Sequence, residues 1–278
     1  MYLLNVLRKI RQRLVEPFKI VMQNRQLTLE MAKREIYDRY LGQVLGGFWS
    51  VAHPLILILV YIYVFGFVFK MKIGGTVQMP LDYITYLLAG LIPWLFLVDA
   101  MGKSSTVIIG HANLVKQVVF PIEILPVKSV LASLFTMGVS FVILLIYVFI
   151  KYHYLLWTYI FLAPAVILAT LGMIGVSYIL SSVGVYFRDV KDFVQVLVVA
   201  GVYLIPVIYL PEAVPDVFRP FLYANPFSYI IWVFQDILYY GRLEHLWAWP
   251  VYIVLCLGVY YLGYYMFRKL KIMFGSAL

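Results

Sequence analysis

The sequence predicts an all-α integral membrane protein: six transmembrane helices, an N-terminal amphipathic interface helix ahead of them, and a re-entrant helical hairpin between spans five and six. Three observations carry this. Apolar residues make up 64% of the 278-residue chain and charged ones 13%, whereas soluble domains carry about a quarter charged residues. The apolar residues fall into runs of about twenty, the length that crosses a hydrocarbon core as a helix. The lysines and arginines cluster unevenly between those runs, so the net charge of +9 reads as the positive-inside bias of a membrane protein rather than a nucleic-acid surface.

The chain divides at residue 47. Residues 1–47 read as a cytoplasmic N-terminal amphipathic interface segment, and 48–278 as a six-span transmembrane domain. Within Leu27–Gly47, Glu30, Lys33, Arg34, Glu35, Asp38 and Arg39 alternate with Leu29, Ile36, Tyr37, Tyr40 and Leu41. The next segment, Phe48–Phe69, has no ionised residue. A helix that cannot enter the bilayer is followed by one that cannot leave it, so the charged one lies along the cytoplasmic interface, where an amphipathic helix is stable. The opening MYLLNVLRKIRQR lacks the apolar stretch of a cleaved signal and continues into more charge.

The six spans fall at about 48–69, 82–102, 130–150, 156–181, 193–210 and 247–267. Pro54, Pro93, Pro164 and Pro206 lie inside them and predict kinks. With the N-terminus inside, seventeen Lys and Arg residues lie on the cytoplasmic side and five outside: Lys70, Lys72, Lys151, Arg219 and Arg242. That asymmetry places both termini in the cytoplasm. The segment Phe221–Tyr240 is long enough to cross, but crossing would put Arg268, Lys269 and Lys271 outside. It carries Asn225, Pro226, Gln235 and Asp236 and follows Pro211, Pro215 and Pro220. It therefore reads as two short helices that dip into the outer leaflet and return, serving either as a structural cap or in substrate exit.

Catalytic chemistry is hard to assemble. Asp99 and Lys103 form an i,i+4 pair near the cytoplasmic edge of span two. His53 sits near the start of span one, where interfacial packing accounts for it. Spans three to six hold no ionisable residue near the midplane, as an ion-coupled transporter would. There is no His/Asp/Glu cluster with metal-ligand spacing and no nucleophile–base pair. The single cysteine, Cys256, allows no intrachain disulfide. Gly102-Lys103-Ser104 resembles the end of a phosphate-binding loop, but Leu97 stands where its first glycine belongs. Any ATP therefore binds a partner.

Aromatic residues supply most of the remaining specificity. Tyr61, Phe65 and Phe69 share one face of span one at i,i+4 spacing, and Tyr63 and Phe67 share the adjacent one. Span five adds Tyr203 and Tyr209. Tyrosine offers a flat apolar ring with a polar tip, suited to stacking on sugar C–H faces while bonding hydroxyls. Such a stripe serves either as a glycan path or as helix-packing core. On the cytoplasmic side, the 111–128 connection is the candidate coupling element. HANLVKQVV predicts a short amphipathic helix with Leu114, Val115 and Val118 on one side and Lys116 among them. Pro121 and Pro126 then redirect the chain, and Glu123 between them serves as cap, ion pair or turn residue.

Two stretches together resemble a known family. Tyr40-Leu41-Gly42-Gln43-Val44-Leu45-Gly46 leading into Phe48-Trp49, Pro54-Leu55, Val60-Tyr61 and Val64-Phe65 is similar to the entry of span one in ABC-2 type permeases that export bacterial polysaccharides. Asn113-Leu114-Val115-Lys116 through Phe120-Pro121-Ile122-Glu123-Ile124-Leu125-Pro126 resembles their first coupling loop, and Asn225-Pro226-Phe227 falls where they carry an outer hairpin. The resemblance runs from about residue 25 to the end and leaves 1–24 uncovered. Leu41 departs from it, standing where a basic residue is common before the glycine. The resemblance implies a homodimer of permease subunits in the bacterial inner membrane, docked to two ATPase subunits that hold the ATP and Mg. It implies an undecaprenyl-linked glycan as cargo, O-antigen first, with teichoic acid or capsule as alternatives. Arg34, Arg39 and Tyr40 are the candidate residues of the interface helix. A non-glycan ABC-2 exporter would share this topology, and a membrane-embedded transferase would need paired acidic or histidine residues that the chain does not offer.

Overall fold

A computed structural model of the chain describes residues 15–38, 43, 45–69, 79–117 and 120–278. All regular elements among the described residues are helical. Residues 15–23 are helical and turn at Asn24 into α1, Arg25–Asp38. Helix α1 packs on α5, Ile124–Tyr152, through buried Thr28 and Ala32, while Leu29 and Tyr37 stay exposed. Glu35 of α1 pairs with buried Lys128 at 2.8 Å. The charged helix is thus pinned across the base of a span. Arg39, Tyr40 and Leu41 lie outside the described residues.

Among the described residues, five helical segments are long and apolar enough to cross a membrane: Gly46–Val68, Tyr83–Ser104, Ile124–Tyr152, Trp157–Tyr186 and Ala248–Met273. The first comprises α2, Trp49–Tyr61, and a π-helical extension, Ile62–Val68. The second is α3, Tyr83–Ser104, started by Asp82, whose carboxylate accepts from the Thr85 amide. The third, α5, begins earlier than predicted, and Pro126 lies in its first turn rather than before it. A first turn has amides without partners, so proline costs nothing there. The fourth contains α6, Leu162–Tyr186, and the last α10, Ala248–Leu270.

The expected fifth span is shorter than the sequence predicted. It folds as α7, Val190–Leu204, only 15 residues long. At 1.5 Å per residue that reaches about 22 Å, short of a hydrocarbon core of about 30 Å. Pro206 is the cause: proline disfavours helical backbone in the residue before it, and Ile205 is extended at φ −128°, ψ 155°. Pro206 therefore ends a helix instead of kinking one, and Pro164 sits in the first turn of α6, whereas Pro54 and Pro93 are true interior prolines.

Non-helical backbone inside such a bundle needs partners for its carbonyls. Tyr83 donates to the carbonyl of Ile208 at 2.7 Å and Tyr86 to that of Tyr209 at 3.0 Å. The Gln235 amide donates to the carbonyl of Pro206 at 2.8 Å. The chain then returns through two short helices, α8, Arg219–Ala224, and α9, Pro226–Gln235, the second extended by a π turn over Asp236–Tyr240. Asn225 separates them and caps α9, accepting from the Phe227 amide at 3.0 Å. The base of this hairpin lies beside the middle of α3, where the Phe227 and Trp94 rings meet at 5.9 Å. Its end lies beside the start of α3, where Tyr239 donates to the carbonyl of Leu81 at 2.9 Å. Asp236, fully buried, accepts from the His245 amide, the His245 ring at 2.7 Å and the Trp249 indole at 3.0 Å.

Helix α3 is the centre of the bundle, buried from Thr85 through Trp94. Helices α6 and α10 pack most closely: a Cβ on Gly175 would meet the Tyr260 backbone at 2.5 Å, and one on Gly263 the Gly175 carbonyl oxygen at 2.1 Å. Small residues that let backbones touch are the usual adhesive between membrane helices. Helix α2 and α7 lie at the edge, with outward apolar rows, Val51, Leu55 and Leu59 on one and Phe193, Val196 and Val199 on the other.

Candidate substrate path and coupling segment

The aromatic stripe forms because α2 continues without a break into its π extension, keeping successive turns in line. Tyr61 and Phe65 stack at 6.0 Å with planes 13° apart, and Phe65 meets Phe69 at 5.6 Å. Tyr61 and Phe65 are half-buried, Phe69 exposed. Tyr63 and Phe67 point outward on the other face and join no cluster with them. Tyr203 is exposed near the end of α7, and the Tyr209 hydroxyl donates to its carbonyl at 3.0 Å. Tyr61 and Phe65 therefore stack on one face of α2, and Tyr209 bonds Tyr203 at the end of α7, so each pair offers flat ring faces and a polar tip.

On the opposite side, α4, Ala112–Gln117, is a six-residue helix entered through a tight turn over Ile109–His111. His111 Nδ1 contacts the Val107 carbonyl at 2.8 Å and its Nε2 lies 3.3 Å from Lys128. Leu114 and Val115 are half-buried, and Val115 packs against the chain's own core. Among the described side chains of α4, Asn113 and Lys116 are exposed. Val118 lies outside the described residues. Glu123 pairs with Lys271 and makes no side-chain capping bond to α5. A cleft of about 540 Å³ opens between α1 and this segment, lined by Arg34, Asp38, Lys103, His111, Leu114 and Lys128 among others. Its charges are paired: Arg34 with Asp38 at 3.3 Å, Lys103 with Asp99 at 2.6 Å, and Lys128 with Glu35.

At the other end of the bundle, Asp82 is an anchor that sequence reasoning missed. It accepts from Lys151 and Tyr147 at 2.7 Å each, from the Thr85 hydroxyl at 2.6 Å and from Tyr152 at 3.0 Å. Burial pushes its carboxyl pKa up, but the bonds from Lys151, Thr85 and Tyr147 outweigh that and hold it below the ordinary value. The capping position before an apolar run was the available signal; the partners on α5, nearly seventy residues away, left none. Tyr83, Tyr86 and Tyr178 were likewise hidden, because a tyrosine in an apolar run gives no sign of which carbonyl it will meet.

Comparison with known proteins bears on the same stretches. The model of the ABC-2 type transporter family matches residues 26–239. An O-antigen export system permease protein RfbA from Klebsiella pneumoniae is 28% identical over 257 residues, covering 91% of this chain and 95% of its own. A protein of the same name from Myxococcus xanthus is 28% identical over 224 residues, covering 80% of this chain and 83% of its own. The match takes in α1, the stripe on α2, the coupling segment and the hairpin. A multi-pass helical membrane protein with these features and this match belongs to the ABC-2 type transporter family.

Proposed function

We propose that this chain is the permease subunit of an ATP-driven exporter that carries lipid-linked polysaccharide, O-antigen in the first instance, across the bacterial inner membrane. The observation that carries the reading is the similarity, over nearly the whole chain, to permeases named for O-antigen export. The stacked Tyr61–Phe65 pair on α2 and the Tyr203–Tyr209 pair at the end of α7 support it, since rings with polar tips suit a sugar polymer. In this reading two copies meet along the exposed rows of α2 and α7, and the stripe faces the path between them. Helix α7 is then the fifth crossing, completed by the extended segment that Tyr83, Tyr86 and Gln235 hold. Helices α8 and α9 form a hairpin that enters the outer leaflet and returns, α1 lies in the cytoplasmic interface, and both termini are cytoplasmic. Two separate ATPase subunits bind the ATP and Mg and dock beneath α4, where Leu114 borders the cleft and Lys116 is exposed. The cargo's anchor is an undecaprenyl lipid.

The deciding experiment is deletion of this chain in its own host. Undecaprenyl-linked glycan should accumulate on the cytoplasmic side and surface polymer should vanish, with return on complementation. Unchanged surface polymer in the deletion strain would remove the reading.

A further inference from the structure

The joint between the α4 connection and α5 is gripped from two sides. Glu123 stands immediately before α5 and its side chain is almost completely buried. Its carboxylate accepts from the ammonium of Lys271, at the start of the C-terminal tail. Its main-chain carbonyl accepts from the hydroxyl of Tyr178, in α6, at 3.2 Å. Tyr178 is itself fully buried, its ring against Phe267 and Tyr264 of α10 at 4.9 and 5.6 Å. The tail that carries Lys271 is fixed in turn, because Phe274 of α11, Phe274–Ala277, is fully buried between Tyr186 and Phe267. One residue of the connection is thus bonded to α6 by its backbone and to the end of α10 by its side chain.

Helices α6 and α10 meet backbone to backbone at Gly175 and Gly263. A load applied at Glu123 therefore reaches two closely packed helices. A buried carboxylate with a single ammonium partner is also a strong constraint, since separation leaves an uncompensated charge. Among the described residues, nothing comparable links the connection to α2, which lies at the bundle's edge.

We propose that the Glu123–Lys271 pair is the joint that transmits displacement of the coupling segment to the α6–α10 pair, with Lys271 a positioning residue for transport. The proposal rests on the reading that the 111–128 connection receives the ATPase's motion. The test uses the intact permease–ATPase complex in proteoliposomes, with glycan export and ATP hydrolysis measured together. Lys271→Glu should lower glycan exported per ATP by about tenfold, within the usual range of a coupling interaction, while the ATPase stays bound. Glu123→Lys combined with Lys271→Glu should restore most of the ratio. Lys271→Gln, which keeps length and removes charge, should fall between; it carries the test if the reversal does not accumulate. A normal ratio in Lys271→Gln, or a charge swap no better than the single reversal, overturns the joint. Leu114→Asp with Lys116→Glu separates the two levels: if this pair uncouples the complex and Lys271 variants do not, only the joint is wrong. If neither does, the coupling reading fails as well.

Discussion

Asp82 shows how one side chain can secure the end of a bundle. Its folded-state pKa lies below the unfolded value, so its stabilisation is present above about pH 4 and is lost as pH falls through the lower folded value. Thermal unfolding in detergent from pH 7 down to pH 3 should therefore show wild-type stability dropping at the acid end. Asp82→Asn should start lower and lack that part of the acid dependence; parallel curves would mean the carboxylate is not the anchor. At the stripe, replacing Tyr61 and Phe65 by Leu keeps apolar bulk, so packing should change by less than about 1.5 kcal/mol. The stacked faces at 6.0 Å and the Tyr61 hydroxyl are lost. Polymer export should slow while assembly and ATPase binding persist, and normal export would make the stripe core only. The spacing of Tyr61, Phe65 and Phe69 was readable because it is local, one helical face at i,i+4. The pairing of Tyr209 with Tyr203 depended on where α7 stopped, and that lay with Pro206.

At the scale of elements, apolar run length fixed five of the helices because burial in a bilayer demands a minimum length whatever the packing. It overreached for α7, where Pro206 and the tyrosine donors of α3 replace the last turns of helix. The 111–128 connection was visible as a short amphipathic pattern, and Val115 on its apolar side packs inward, since a six-residue helix cannot hold itself without packing on the chain behind it. The α6–α10 contact gives a sharp test. Gly263→Ala puts a Cβ 2.1 Å from the Gly175 carbonyl oxygen, against backbone that cannot rotate away. The cost should be about 1–3 kcal/mol, read as a lower unfolding temperature and faster proteolysis. Gly258→Ala, with open space around it, should change neither. Equal behaviour of the two would mean that the helices are not held by backbone contact.

For the whole molecule the expectation to test is that both termini face the cytoplasm, and charge and geometry both bear on it. Seventeen Lys and Arg residues on one side against five on the other favour cytoplasmic termini. The hairpin makes that possible, because α8 and α9 meet at Asn225, beside the middle of α3, and α9 runs back to its start. A hairpin that turns at that depth adds no crossing, whereas a crossing helix would move α10 and the tail to the other side. Single cysteines report this directly in intact cells, with buried Cys256 giving little background. Gly241 is a poor labelling position, since its φ is +62° and a Cβ there would press on Leu156 at 2.9 Å. Glu244 is better, because it is exposed and its pair with Arg242 is a surface one of small worth. In the tail Gly275 is exposed and open around its Cβ position. Glu244→Cys should react with an impermeant maleimide from outside, and Gly275→Cys only after lysis. Reaction of Gly275→Cys in intact cells would mean that the tail faces outside, and it would place the Glu123–Lys271 pair on the wrong side of the membrane for any coupling to a cytoplasmic ATPase.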